Sequence, residues 1–466
     1  MRRGLLLLSG VLATTLLGKT IDFPTALKEA LAGNEELKAK KMEVKKAEAQ
    51  LEEAKGYNWG KLTLGETYSK TNNALYVFGM KLESREATFR DFGFADFLAN
   101  MPGLMAGTVS GDEVLRIQPD DLNYPHSRDN WKTNIVYEFP IFTGFKLKYA
   151  EKMAQLQLRA KSFKFQNDKE KLAIEVLKAY NGAVAAKYFI KALEKAKETT
   201  ESFVKIIKAY YNQGMATQID LLSAEKRDNE VGAMLIEARN KYKLALAYLR
   251  YLTDDDSITD VGDFYYEQVP NLSLSQLKKL ALKNRNDLKW MRFNVETMKS
   301  YTKMEESAYY PTVGFHGEYG YNDNKLTFSD RKNYYMVAVG LKWNLFDGGR
   351  SGKVEQAKIK ALQTLHYYNA MKKGILVDVE KKLLDYQAKS AIIKSKEVNR
   401  RLAHKILEKY TYMYKQGMIP FAILLLKEAD ARKADAELIK AQYDKAVAAA
   451  ELKMAIGKLL SNGKGE

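Results

Sequence analysis

The 466-residue sequence predicts a mainly α-helical chain with a smaller β-barrel portion, built from two internal repeats. Three observations predict it. Glycine (29 residues) and proline (8) are too sparse for an all-β sandwich, which needs frequent turns. Two runs of about 70 residues, Gly144 to Gly214 and Gly348 to Gly417, contain no proline. Four short segments alternate apolar and polar residues, as strands with one greasy and one polar face do.

At 46% hydrophobic and 29% charged residues, the chain is neither disordered nor collagen-like. Lys and Arg number 75 against 58 Asp and Glu, a formal charge of +17, which raises the question of a polyanion. The charge is spread as Lys/Glu mixtures such as Lys38 to Glu53, the composition of a solvated helix face, so no nucleic acid is expected as a partner. With no cysteine, disulfides, thiolate metal sites, a Cys nucleophile and lipid attachment at an N-terminal Cys are excluded.

Residues 1–18 read as an export signal: Arg2 and Arg3 precede an apolar run from Gly4 to Leu17, with cleavage expected near residues 18–20. Beyond it no apolar stretch reaches the roughly 18 residues of a membrane helix.

The rest matches itself. Ala30 to Leu37 corresponds to Ala281 to Leu288, and the same offset of 251 carries Trp59 onto Tyr310 and Tyr68 onto Tyr319. Phe139 to Gly144 corresponds to Trp343 to Gly348, and Tyr211 to Met215 to Tyr414 to Met418, at offsets of 204 and 203. The drop places an insertion of about 47 residues between Tyr68 and Trp131 of the first copy. Copy one spans 19–252 and copy two 272–460, with a polar linker at 253–271 and a tail at 461–466.

Each copy reads as helix, strand, loop, strand, long helix, turn, helix. Phe23 to Tyr57 is one helix by its Ala/Glu/Lys content and its Leu27, Leu31, Leu37, Val44 spacing. Strands are expected at about 61–70 and 131–142, where Leu62, Leu64, Tyr68, Ile135, Tyr137 and Phe139 form the greasy face. In copy two they are expected at about 311–322 and 333–346, with Val313, Phe315, Tyr319, Val337, Val339, Leu341 and Trp343 on that face. Each proline-free run, at 1.5 Å per residue, makes a helix of about 105 Å, too long for a globular core. The helices flanking it are half as long, so two stacked end to end match one long antiparallel partner.

Four such strands cannot close a barrel, since membrane barrels begin at about eight and lipid leaves open sheet edges unpaired. The chain must oligomerise: three copies would close a barrel of about 12 strands, continued by a helical barrel. Given the export signal, termini and helices face the periplasm and the inserted loop, with Phe78, Phe89, Phe92, Phe94 and Phe97, faces outward. That loop is expected to be packed or to cap the mouth, or else to recognise a ligand.

The duplicated helix-strand-strand-helix plan, the segment Leu345 to Gly349 leading into a long helix and the paired Tyr-x-x-Gly turns (Tyr211 to Gly214, Tyr414 to Gly417) resemble the TolC family of outer-membrane efflux and type I secretion channels. The resemblance covers essentially the whole chain after the signal. It implies a trimeric channel-tunnel, a homotrimer embedded in outer-membrane lipid. Its tip turns (213–216 and 416–420) would dock a periplasmic adaptor, or membrane fusion protein, bound to an inner-membrane pump. Carried over by position, the docking residues are Gln213, Gly214, Met215, Gln416, Gly417 and Met418, the glycines also supplying positive φ between helices. The tip constriction falls on Asp220, Tyr414, Ile423 and Leu426. Well-known members carry two acidic residues where Ile423 and Leu426 stand and an Arg where Ile419 stands, so an apolar constriction that gates by packing and dewetting fits this chain better.

Asp347-Gly348-Gly349-Arg350-Ser351-Gly352-Lys353 joins strand to helix but lacks phosphate-loop spacing and its Ser/Thr. Asp347, like Thr143, reads as a helix cap, with Gly144, Gly348 and Gly349 letting the chain leave the barrel wall. His126, His316, His366 and His404 show no metal-ligand spacing, and Asp254 to Asp256 read as a solvated helix end rather than a calcium loop. No catalytic constellation and no cofactor are expected. The expected role is a passive exit duct driven by an inner-membrane partner; the alternative is a periplasmic coiled-coil tether, which explains the helices but not the strands.

Overall fold

A computed structural model describes residues 18–460. The expected signal, save Gly18, and the tail at 461–466 lie outside the described residues. A short strand β1 (Lys19–Ile21) precedes α1 (Phe23–Gly33), α2 (Glu35–Gly56) and β2 (Lys61–Thr71). The inserted segment forms α3 (Ala74–Glu83), α4 (Phe94–Met105), α5 (Gly111–Leu115) and α6 (Asp120–Asn123) before β3 (Arg128–Phe142). The first copy ends with α7 (Lys146–Asn212) and α8 (Gln218–Thr253), and β4 (Ile258–Val261) lies in the linker. Copy two runs α9 (Leu274–Asn284), α10 (Asn286–Glu306), β5 (Thr312–Asp323), β6 (Asn333–Lys342), α11 (Arg350–Lys415) and α12 (Phe421–Ala455). At 67 and 66 residues, α7 and α11 are each about 100 Å long.

The structure adds four details. The opening helix is not continuous: it breaks at Asn34, as its counterpart does at Arg285, with nearly the same backbone angles (φ −56°, ψ 117° and 122°). Asn34 Oδ1 accepts from Leu37 N at 3.0 Å and restarts the helix, while its amide donates to Leu252 O at 3.2 Å. The polar linker contains β4, which pairs in parallel with β1. The last strand, expected to reach 346, stops at Lys342, because its partner Thr312 is preceded by Pro311, which has no N–H to give. The inserted loop is largely helical.

The chain divides into two compact units. One comprises the described residues up to Ala47, Gln157–Val295 and the described residues from Gln363 onward. Its main core gathers Ile21, Phe23, Leu177, Tyr180, Leu249, Ile258 and Val261, so the β1–β4 pair is buried among helices. Two smaller cores lie around Leu277, Val379 and Leu452, and around Phe203, Ile207, Phe421 and Leu424. Along α12 the buried residues are mostly alanines, including Ala446, Ala448, Ala449 and Ala450, small enough to let helices approach closely.

The other unit, Glu48–Leu156 and Glu296–Leu362, holds the four-stranded antiparallel sheet in the order β2-β3-β5-β6. Its register aligns the alternation seen in the sequence: Leu64, Ile135, Tyr319 and Tyr335 form one row, and Leu62, Tyr137, Gly317 and Val337 the next.

Candidate functional site

The sheet face carrying those rows is uncovered. Leu64, Tyr335, Val339 and Leu341 are 73%, 80%, 64% and 68% exposed, which water would penalise and lipid would not. The opposite face is polar and internally bonded. Asn134 Nδ2 and Tyr334 Oη donate to Glu318 Oε1 at 2.6 and 2.7 Å, and Lys132 lies 3.8 Å from it. Among the described residues, strands β2 and β6 have no outer neighbour, so the sheet ends in two open edges.

Where strands join long helices, the two copies solve the same problem differently. Gly144 takes φ +62°, and a Cβ there would lie 2.7 Å from Ser307 O. The next residue, Phe145, is also left-handed (φ +72°), held by edge-on contacts with Phe142 and Tyr310; nothing in the sequence marked it. Thr143 Oγ1 accepts from Leu147 N at 3.2 Å, capping α7. In copy two, Asp347 Oδ1 accepts from Gly349 N at 2.9 Å. Gly348 and Gly349 form the turn that leads into α11, without entering the left-handed region. Arg350, 7% exposed, lies over the Tyr309 ring at 5.0 Å and donates to Asn344 O.

The helical turns match closely between copies. Gly214 and Gly417 take φ +71° and +69°. Gly214 N donates to Tyr211 O and Met215 N to Tyr210 O; Gly417 N to Tyr414 O and Met418 N to Met413 O repeat the pattern, at 2.8–3.0 Å. This is the Schellman arrangement that satisfies the last carbonyls of a helix. Gln213, Gln416, Met215 and Met418 project into the open, the methionines 63% and 66% exposed.

The four expected constriction residues lie on the segments around these turns. Asp220 is engaged in the capping box of α8: its carboxylate accepts from Thr217 N at 3.1 Å and Thr217 Oγ1 at 2.7 Å. Tyr414 packs on Phe421 at 5.5 Å, and burial, aided by the Asp220 charge, pushes its phenol up. Ile423 and Leu426 are exposed, as are Ile219 and Leu222. Sequence reasoning missed a neighbouring charge cluster. Glu428, 2% exposed, accepts from Arg227 Nε and Nη2 at 2.8 and 2.6 Å, bridging α8 to α12. Asp435 binds Arg400 and His404 on α11 at 2.5 and 3.0 Å. A cavity of about 400 Å³ between α7, α11 and α12 is lined by Phe203, His404, Glu428 and Asp435.

Elsewhere, Asp254 caps α8 in the left-handed region (φ 56°). Asp255 is held at about 2 by hydrogen bonds from Ser257 and Lys19, so this run works as a helix end. No group of three or more His, Asp or Glu is arranged to hold a metal among the described residues, and none of their helices is long and apolar enough to cross a membrane.

A sheet with a lipid-type outer face and open edges, joined to helices of about 100 Å, defines the protomer of a membrane channel whose wall is β-structure. The outer membrane efflux protein family matches residues 110–253 and 277–458, one match in each copy, and the chain belongs to that family. It is 23% identical over 349 residues to the alkaline protease secretion protein AprF of Pseudomonas aeruginosa, covering 73% of this chain and 72% of that protein. With the outer membrane protein TolC of Vibrio cholerae it shares 21% over 316 residues, 66% and 72% of the two chains. The crystal structure of the Campylobacter jejuni CmeC outer membrane channel superposes with a TM-score of 0.76 at 15% identity, over 94% of this chain and 86% of that one. The protein is thus an outer-membrane transport channel with a large periplasmic helical portion, and the tether alternative is not favoured.

Proposed function

We propose that three copies share one wall, the open edge β2 of each subunit pairing with β6 of the next, and that the resulting duct is the exit path of a tripartite efflux pump or type I secretion system. The observation that carries this is the pair of open edges on a sheet whose apolar face is uncovered. Outer-membrane lipid covers that face, and three times four strands seal every backbone group. The two repeats, 19–252 and 272–460 around the 253–271 linker, then supply equivalent halves of each subunit.

The turns at Gln213, Gly214, Met215, Gln416, Gly417 and Met418 receive a periplasmic adaptor, itself bound to an inner-membrane pump that supplies the energy. Their exposure and matched geometry support this. Ile219, Leu222, Ile423 and Leu426 close the tip by apolar contact between subunits, while Asp220 gives its Oδ2 to the helix cap. The test is the mass of the detergent-solubilised complex together with its conductance in a planar bilayer. A trimer that conducts is expected; a non-conducting monomer overturns the reading. Block by a divalent ion at a site mapping to Asp220 would count against the apolar closure.

A further inference from the structure

The inserted segment has no counterpart in copy two, and the position of its first helix determines what it covers. β2 ends at Thr71 and α3 begins at Ala74, so α3 starts at the end of the sheet opposite the long helices. Along β5, Glu318, Gly320 and Asn322 share the polar face, in register with Val136, Asn134 and Lys132 of β3. Asn322 donates its amide to the Glu83 carboxylate of α3. The insertion therefore folds against the polar face. Burial agrees: Asn130 and Asn322 on that face are 5% and 0% exposed, while Leu64, Tyr319 and Tyr335 on the apolar side stay exposed.

The segment is fastened there. The Arg85 guanidinium donates to the carbonyls of Arg331 and Asn333 at 3.3 and 3.0 Å. Lys332 Nζ donates to Ser84 O at 2.9 Å and Glu86 Oε1 at 2.6 Å, and Arg128 pairs with Glu86 from β3. Leu75, Phe89, Met105 and Leu115 nevertheless remain 76–83% exposed in the single chain.

Resting on the reading that the polar face lines a three-subunit duct, we propose that the insertion is an inward-folded lid over the outer mouth, and that its open apolar face is covered by the lid of a second copy. The dimensions select this occupant. Twelve strands about 4.8 Å apart and tilted about 40° close a ring of about 24 Å diameter. Three helices about 10 Å across, one per subunit, fill such a ring and meet at its axis. Continuity adds to this, since α3 follows β2, the edge strand that joins the neighbour.

The chain has no cysteine, so introduced thiols react alone. Thr63→Cys lies on the polar face below the lid, in register with Val136. On intact cells, a bulky polyethylene glycol maleimide is expected to leave it unlabelled and a small maleimide to label it. Deleting residues 74–122, or releasing the clamp with Arg85→Ala/Glu86→Ala should the deletion not assemble, is expected to abolish the exclusion. Met105→Cys is expected to form disulfide-linked dimers on oxidation. Equal bulky labelling with and without the lid overturns the lid; a trimer giving no Met105→Cys dimers overturns the second-copy contact. A monomeric mass in detergent would instead remove the duct reading on which both rest.

Discussion

The Arg227–Glu428 pair tests how the two repeats are held together near the helical turns. Arg227→Met removes two charge-assisted hydrogen bonds from a carboxylate that is 2% exposed, leaving it, among the described residues, only Arg432 at 3.5 Å. Breaking a buried pair on one side costs about 3–5 kcal/mol, because an uncompensated charge stays behind. The adjacent cavity of about 400 Å³ gives that charge some access to water, which favours the low end, about 3 kcal/mol. If the loss falls on the unfolding barrier, the half-life of the folded protein in detergent at fixed elevated temperature shortens about a hundredfold. Arg227→Met/Glu428→Leu, which removes both charges and restores apolar volume, should recover most of it. Loss of tryptophan fluorescence over time at one temperature reads all three proteins. A single variant as long-lived as the parent, or a double variant as short-lived as the single one, would refute the argument that an orphaned charge dominates.

Three further outcomes follow from particular residues. Burial, then the neighbouring Asp287 charge, raises the Glu170 carboxyl from 4.5 to about 7, so its contribution to stability is full below pH 4.5 and is lost as pH rises through 7; Glu170→Gln should flatten that decline and stabilise the protein above pH 7 by up to about 3 kcal/mol, read from melting at several pH values. Gly144→Ala meets both a positive φ and the Ser307 carbonyl and should cost about 2 kcal/mol or more with loss of heat-resistant assembly on gels, whereas Gly348→Ala, with nothing nearer than 3.9 Å, should be nearly neutral. Met215→Asp/Met418→Asp should abolish retention of the adaptor in detergent pull-downs while leaving melting unchanged; Gly417→Ala, in open space, should cost only about 1 kcal/mol.

Much of this architecture was legible because its signals are periodic or repeated. Strand alternation named the lipid-type face residue by residue, since a two-residue period leaves only two assignments. The Tyr-x-x-Gly spacing located both helical turns, because a left-handed residue after a helix strongly favours glycine. The helix break at Asn34 lies within a helical composition: Gly33-Asn34 is a stop pair, but what fixes the break is a side-chain bond to Leu37 N supported by Leu252 O, 218 residues away. The left-handed Phe145 escaped for the same reason, being held by Phe142 and Tyr310 rather than by its own preference.

The linear order of residues by itself determined the repeat, the helix lengths, the two sheet faces and the inability of four strands to seal their own backbone. Each depends on the local period or on counting hydrogen-bonding groups. Only the tertiary structure decided which face the insertion covers, that Asp220 is committed to a helix start, and that Glu428 is buried against Arg227. Those outcomes depend on which groups meet across 200 or more residues, or on how one carboxylate is shared, and neither leaves a periodic trace in the sequence.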